Sequence, residues 1–176
     1  MLAAMLTLSL LRHAKSSWDD PELPDHDRPL NKRGTRDAPR VGARMRAGKI
    51  TPDLIVCSGA VRARATLTLV LSALNEARPP IVYDEALYLA EPDALLTRLA
   101  AIEAANRHVL LVGHNPGLHA LALELTGAGE RRDLARLALG FPTAALATID
   151  FAVASWDLIA PGTGRLRLFV TPKQLD

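Results

Sequence analysis

The sequence contains one cysteine, Cys57, and 4% aromatic residues. A single thiol excludes an internal disulfide and is typical of a reducing compartment, so we expect a cytoplasmic protein. No apolar run approaches the length needed to cross a bilayer. The apolar start, Met1 to Leu11, leads into Arg12 without a small-residue cleavage site, so we interpret it as a strand and expect neither a signal peptide nor a membrane anchor.

Blocks of like charge are also missing. The chain has 21 basic and 19 acidic residues, a net charge of +2, and they are interleaved, which gives nucleic-acid binding little support. There is no Gly-x-Ser-x-Gly, P-loop or dinucleotide fingerprint. His108 and His119 have no partner at ligand spacing. Asp25-His26-Asp27 could suggest a metal, but we interpret it as a polar loop of alternating charge. We therefore expect no metal and no cofactor.

Short apolar runs alternate with helical patterns along the chain, and 49% of the residues are apolar. This alternation predicts one domain, residues 1–176, with an α/β fold: a three-layer α/β/α sandwich around a mostly parallel sheet. The predicted strands are Met5–Leu11, Leu54–Cys57, Ile81–Tyr83, Val109–Val112, Leu146–Phe151, Ala154–Ile159 and Leu166–Val170.

Five helices are predicted between these strands. They run from Asn31 to about Gly48, from about Ala60 to Ala77, from Pro92 onward, from Asn115-Pro116 to Gly127, and around Leu134–Leu139. Asn31 and Asn115 are expected as N-caps, the second followed by a proline at the first helical position. Pro39 is expected to kink the first helix or to force a restart after Thr35.

Three polar motifs each follow a predicted buried strand. They are Arg12-His13, Ser58-Gly59-Ala60-Val61-Arg62 and Gly113-His114-Asn115. Because ligands gather at the carboxyl ends of strands in open α/β sheets, we expect these side chains to form one cationic pocket. Phosphoryl transfer through histidine needs an imidazole with a free nitrogen and fixed positive charge around it. Arg64 lies about 200° around the helix from Arg62, so we expect it on the surface in a salt bridge.

A cysteine-phosphatase loop is the competing interpretation of the second motif. That loop has five residues between its cysteine and its arginine, whereas four separate Cys57 from Arg62, and Ala63 occupies the expected arginine position. We therefore interpret Cys57 as the buried end of a strand.

In order and in context, the three motifs resemble the histidine phosphatase superfamily, which has the phosphoglycerate mutase-like fold. The resemblance implies that His13 is the nucleophile, that Arg12 and Arg62 hold the phosphate, and that His114 donates to the transferring phosphoryl group. Arg62 matches the family's S-x-x-x-R-A-x-x-T stretch, and Ala14 occupies a position where glycine is usual. Substrate contacts are implied for Ser16, Asp19 and Asn115.

Further segments are similar to the short bacterial branch, the SixA-type phosphohistidine phosphatases. They are Asp27 to Gly34, Phe141 to Leu146, and Pro172-Lys173 with Leu175. This similarity implies a metal-independent phosphatase without cofactor. Its partner would be a phosphorylated protein, such as a histidine-phosphotransfer domain, or a small phosphorylated metabolite.

The general acid of other branches, a glutamate soon after the third strand, has no clear counterpart. Glu85 comes slightly early, Glu91 late, and Tyr88 stands closer to the expected place. A phosphoimidazole releases a good leaving group, so a missing acid favours phosphohistidine as the substrate. Two alternatives stay open: a small-molecule phosphomonoesterase with Glu85 or Glu91 as acid, and a non-catalytic phosphate-binding domain. The intact set of two histidines and two arginines argues against the second.

Overall fold

The computed structural model describes residues 4–75 and 78–175. Its strands are β1 (Leu6–Arg12), β2 (Leu54–Ser58), β3 (Ile81–Asp84), β4 (His108–Gly113), β5 (Thr126–Gly129), β6 (Leu146–Phe151) and β7 (Gly164–Val170). Its α-helices are α1 (Lys32–Ala47), α2 (Val61–Leu74), α3 (Pro92–Ala100), α4 (Gly117–Leu125) and α5 (Arg131–Leu139). No helix in these two ranges is long and apolar enough to cross a membrane.

The strands form one sheet in the order β3-β2-β4-β1-β6-β7-β5. β1, β2, β3 and β4 are parallel, and β5 is parallel to β7. β6 is antiparallel to both of its neighbours, β1 and β7. Within the described sheet β6 alone runs in the opposite direction, so the prediction of a mostly parallel sheet is confirmed.

Both faces of the sheet are covered, because successive side chains of a strand point to opposite faces. On β1, Leu10 packs in a core with Leu118 and Leu121 of α4, whereas Leu11 packs in a second core with Val41 of α1 and Leu67 of α2. Helices α1 and α2 therefore cover one face, α3 and α4 cover the other, and the three-layer prediction is confirmed.

Helix α1 is continuous through Pro39, so of the two predicted effects, a kink or a restart after Thr35, the restart is wrong. The Asn31 side chain accepts from the Gly34 amide and caps the helix as predicted. Proline removes one backbone donor but leaves the other helical bonds in place. Burial of Ala38 and Val41 on either side of Pro39 holds the helix together in spite of that loss.

The predicted cap of α4 is also wrong. The helix begins at Gly117, its N-cap is Pro116, and the Asn115 side chain makes no capping bond. The Asn115 amide instead donates to the Phe141 carbonyl at 2.8 Å. The Asn115 side chain therefore makes a long-range contact, which no local sequence pattern predicts.

The predicted strand Ala154–Ile159 is a short 3₁₀ turn, Trp156–Leu158. Both edges of β6 already pair with other strands, and the apolar Trp156 is buried beside α3, with its indole N–H donating to the Asn106 carbonyl at 2.8 Å. The segment is apolar because Trp156 is buried, but it does not become a strand because β6, the strand before it, has no free edge with which it could pair.

Strand β5 was not predicted, and α2 is shorter than expected. The sequence Thr-Gly-Ala-Gly of β5 has low strand propensity, and the strand forms because β7 offers it a sheet edge. Asn75 ends α2 with a left-handed backbone, φ 53°. The rest of the predicted span, residues 76 and 77, lies outside the described residues.

Candidate active site

Three neighbouring parallel strands, in the order β2-β4-β1, deliver the candidate residues to one edge of the sheet. Arg12 is the last residue of β1 and His13 follows it, Ser58 ends β2, and His114 follows β4 directly. Arg62 is on the first turn of α2, just beyond β2. The predicted convergence of the three motifs is therefore present in the structure.

The ring of His13 is held in one tautomer. Its Nδ1 is 2.8 Å from the carbonyl oxygen of Ala14, and because a carbonyl only accepts, Nδ1 carries the proton. Nε2 is therefore unprotonated, and its lone pair accepts a hydrogen bond from Arg62 Nε at 3.3 Å. The Ala14 amide donates to Thr66 Oγ1 at 2.9 Å, so the backbone that holds this bond is itself fixed to α2.

His13 is neutral at physiological pH. Its pKa is lowered to about 4 by burial, followed by the charges of Arg62, Arg12 and Arg28, against the opposing effect of the bond to Ala14. The side chain is 7% exposed. A buried neutral imidazole with an accessible lone pair is the form that attacks phosphorus.

His114 lies beside His13, with 5.1 Å between ring centroids. Its Nε2 is 2.7 Å from the Ser58 hydroxyl, and its Nδ1 is 3.4 Å from Nη2 of Arg62. Burial, followed by the nearness of His13 and Arg62, lowers the pKa of His114 to about 3. Because a guanidinium only donates, Nδ1 accepts from Arg62 in this arrangement, whereas the Ser58 hydroxyl can donate or accept and so can hold the ring in either tautomer.

Arg62 links these groups although it is 2% exposed. Its Nη2 donates to Asp25 Oδ2 at 3.0 Å and its Nη1 donates to the Asp25 carbonyl at 2.6 Å. Together with its contacts to both histidines, these bonds place the guanidinium at the centre of the site. Such a planar fork is suited to an anion with several oxygens.

Arg12 extends into the site from the end of β1, whereas Arg62 extends into it from α2. Its Nη1 donates to the Phe141 carbonyl at 3.0 Å, and its buried Nε has no partner in the described part of the chain. Burial, and then the charge of Arg62, lower the pKa of Arg12. Two arginines that repel each other in this way favour an anion between them.

The side chains surround an open cavity of about 330 Å³. Four cations line it (Arg12, Lys15, Arg28 and Arg62) with both histidines and one carboxylate, Asp25. A larger groove of about 650 Å³ adjoins the cavity and shares Arg12 and Asn115 with it, but it lacks His13 and His114. The chemistry therefore belongs to the smaller cavity.

Of the predicted substrate contacts, the structure places two at the cavity. Ser16 and Asn115 line it, and the Ser16 hydroxyl accepts from Arg28 Nη1 at 2.7 Å. Asp19 lies in a different groove, and its amide donates to the Ser17 hydroxyl at 3.1 Å. The structure does not bring Asp19 to the cavity.

Three residues of the site were missed from the sequence: Asp25, Arg28 and Tyr88. Asp25 belongs to the stretch that we interpreted as a plain polar loop, and Tyr88 was considered only for its place in the chain. Arg28 lies in the segment from Asp27 to Gly34 that resembles the short branch, which was the one available signal. The Tyr88 hydroxyl donates to the Asp25 carboxylate, and both thereby join the loop to the cavity wall.

The remaining candidates lie away from the chemistry. Cys57 is fully buried at the end of β2, and burial raises its pKa to about 12. Arg64 is exposed, with its guanidinium carbon 4.5 Å from the ring centroid of Tyr83. Across residues 4–75 and 78–175, no three His, Cys, Asp or Glu side chains are grouped so that they could hold a metal ion.

Comparisons with known proteins agree with this geometry. Residues 8–88 match the family model of the histidine phosphatase superfamily (branch 1). An uncharacterized protein of Mycobacterium leprae is 35% identical over 93% of this chain and 100% of its own. A second uncharacterized relative, from Mycobacterium tuberculosis, is 36% identical over 93% of this chain and 100% of its own.

Two solved structures extend the likeness to the whole fold. A candidate phosphohistidine phosphatase SixA of Agrobacterium tumefaciens is 34% identical, with a TM-score of 0.79, over 95% of this chain and 98% of its own. A candidate SixA of Nakamurella multipartitia is 29% identical, with a TM-score of 0.80, over 97% and 98% of the two chains. The chain therefore belongs to the histidine phosphatase superfamily, in the branch of the SixA-type proteins.

Proposed function

We propose that this protein is a phosphatase that removes the phosphoryl group of a phosphohistidine and carries it on His13 as a covalent intermediate. The bond from His13 Nδ1 to the Ala14 carbonyl carries this proposal, because it leaves Nε2 unprotonated and facing the cavity. In the first step Nε2 forms a bond to phosphorus while the bond from phosphorus to the substrate nitrogen breaks. Water then attacks phospho-His13 and releases inorganic phosphate.

The charges of the cavity match the needs of that transfer. Charge spreads over the three equatorial oxygens of the transferring group, and fixed donors at those oxygens lower the barrier. In the proposal Arg12, Arg62 and His114 supply these donors. Once Arg62 Nη2 turns from His114 Nδ1 to the phosphoryl group, donation from the Ser58 hydroxyl to Nε2 allows His114 to carry its proton on Nδ1 and to donate it.

The choice of phosphohistidine over an ester is supported by the missing acid. An alkoxide leaving group needs a proton, and a carboxylic acid supplies it only if its pKa is near the working pH. The pKa of Asp25, the cavity's carboxyl group, is held at about 2. Glu85 lies outside the cavity lining with its carboxylate 2.9 Å from His26, and Glu91 precedes α3.

A phosphorylated protein as partner is supported by the surface around the cavity. Trp18 and Leu89 line the cavity and are 70% and 50% exposed, and Leu139 at the adjoining groove is 89% exposed. Exposed apolar side chains grouped around a site are typical of surfaces that contact another protein. The cytoplasm as compartment is part of the proposal and is supported by the free, buried thiol of Cys57.

The deciding experiment compares substrates under matched conditions. Phosphate release is measured from a peptide with one phosphohistidine and from glycerol phosphate, an alkyl ester. We expect a higher kcat/KM for the peptide and, after rapid quenching, a phosphoryl label on His13. His108→Gln is the matched control for loss of a histidine, since His108 begins β4 and lines neither the cavity nor the adjoining groove.

A higher kcat/KM for glycerol phosphate would instead identify the small-molecule phosphomonoesterase. In that case Tyr88 is the proton donor to test, because its hydroxyl donates to Asp25, which lines the cavity. Binding of phosphate with no turnover of either substrate would identify the non-catalytic domain.

A further inference from the structure

Asp25 is the one carboxylate that lines the catalytic cavity in the described part of the chain. Its Oδ1 accepts from Nε and Nη2 of Arg28, at 3.0 Å and 2.9 Å. Its Oδ2 accepts from Arg62 Nη2 at 3.0 Å and from the Tyr88 hydroxyl. Four donors fill the acceptor positions of a carboxylate, so this group is ionised and held in place on three sides.

The Asp25 carboxylate is unexpected inside a phosphate pocket, because it repels the substrate's phosphoryl group. The hydrogen bond from Tyr88, followed by those from Arg28 and Arg62, lowers the pKa of Asp25 to about 2, so Asp25 does not donate protons near neutral pH. It is also a weak base for the same reason. A carboxylate that stays ionised in this position is suited to binding a cation.

Arg62 contacts both the nucleophile His13 and the carboxylate of Asp25. Its Nε faces the nucleophilic Nε2 of His13 at 3.3 Å, whereas Nη1 and Nη2 both hold Asp25. His13 and Asp25 are therefore bound to different edges of one guanidinium. A phosphoryl group in front of His13 would compete for these donors, and a turn of Nη2 toward it would vacate one acceptor position at Asp25 Oδ2.

We propose that this vacated position of Asp25 binds the protonated ring of a phosphohistidine substrate and selects phosphohistidine over phosphate esters. The inference rests on the function proposed above and names the group that determines its specificity. The ring nitrogen that does not carry phosphorus donates its hydrogen to Oδ2. Tyr88 and Arg28 keep the carboxylate in position throughout the exchange.

The transfer balances with this proton in place. The Nε2 lone pair of His13 forms the new bond to phosphorus, and the electron pair of the broken P–N bond returns to the substrate nitrogen. The substrate imidazole leaves neutral, with the proton still on its other nitrogen. No acid is needed, and Asp25 stabilises the cationic ring that makes the bond labile. An ester offers no cation, and the repulsion between Asp25 and its phosphoryl group is then uncompensated.

Asp25→Asn tests the inference, because asparagine keeps the shape and removes the charge. We expect kcat/KM for the phosphohistidine peptide to fall about 10- to 100-fold, the scale of one hydrogen bond to a charged group. For para-nitrophenyl phosphate, an ester that leaves without a proton, we expect no decrease. Inorganic phosphate should inhibit the variant at equal or lower concentration, since Arg62 then has no competing anion.

Asp27→Asn is the matched control, since Asp27 pairs with His26 at 3.1 Å and does not line the cavity. Thermal unfolding of both variants shows whether the loop has lost its structure. Equal losses for both substrates would assign Asp25 a structural role and overturn the inference, and so would unchanged hydrolysis of the peptide. A wild-type protein that hydrolyses only the ester would overturn the proposed function itself, so the two failures are distinguishable.

Discussion

The protonation of His13 gives the sharpest test of the site, because its neutral form is required for attack. A free histidine with a pKa of about 6.5 is about 3% neutral at pH 5. With the pKa at about 4, as burial and the two arginines set it, His13 is about 90% neutral at that pH. Lowering the pH from 7 to 5 should therefore leave the neutral fraction of His13 almost unchanged, whereas the neutral fraction of an exposed histidine would fall about 25-fold.

The assay is a pH titration of the imidazole ¹⁵N resonances, assigned with single histidine variants. The shifts report both the pKa and the tautomer, so they also test whether Nδ1 carries the proton, as its bond to the Ala14 carbonyl requires. His26 is an internal reference with the opposite sign, because the carboxylates of Asp27 and Glu85 raise its pKa.

Two outcomes would refute the reasoning. A His13 that titrates at or above 6.5 would show that burial and the arginine charges do not control it. A proton on Nε2 at neutral pH would block the lone pair that the transfer needs, whatever the pKa. In the absence of bound phosphate, Arg62→Met should raise the pKa of His13, since one of the depressing charges is removed.

Four further outcomes are expected. His13→Ala should abolish turnover, whereas His114→Ala should slow it by about two to three orders of magnitude, the scale for one transition-state donor, as steady-state kinetics will show. Because His13 is neutral when folded and protonates on unfolding, it should make the free energy of unfolding smaller by roughly 2–3 kcal/mol between pH 7 and 4.5, a loss that urea titrations should find reduced in His13→Gln. Activity should survive EDTA, while vanadate should compete with substrate and bind more tightly than phosphate; activity restored by a divalent ion after chelation would contradict this. Gly34→Ala should destabilise the fold by a few kcal/mol in thermal unfolding, since its Cβ would lie 2.2 Å from the Lys15 carbonyl oxygen.

The sequence predicted the parts of the site that follow strands. A buried apolar run locates a strand, parallel strands end at one edge, and the first polar residue after each run must therefore face that edge. Arg12, His13 and His114 follow from this rule alone. Arg62 required in addition the position of one helical turn, which its distance from Ser58 supplied.

What the sequence did not predict depends on contacts between distant segments. Asp25 reaches the cavity because Arg28, Arg62 and Tyr88 hold it there, and no local pattern states that the loop folds back over the sheet edge. Asn115 appeared as a helix cap for the same reason, since its bond to the Phe141 carbonyl is invisible to local reasoning. The segment around Trp156 shows that hydrophobicity predicts burial, whereas a strand also needs another strand with a free edge to which it can hydrogen-bond.

The reversed strand β6 brings its amino end, rather than its carboxyl end, to the catalytic edge. The turn that precedes β6 places the Phe141 carbonyl on Arg12 Nη1 and on the Asn115 amide. Both polar side chains are thus oriented by a main-chain oxygen, which every residue type possesses. The side chain at position 141, which is buried in the core, is therefore selected for packing, whereas its carbonyl oxygen serves the site whatever that side chain is.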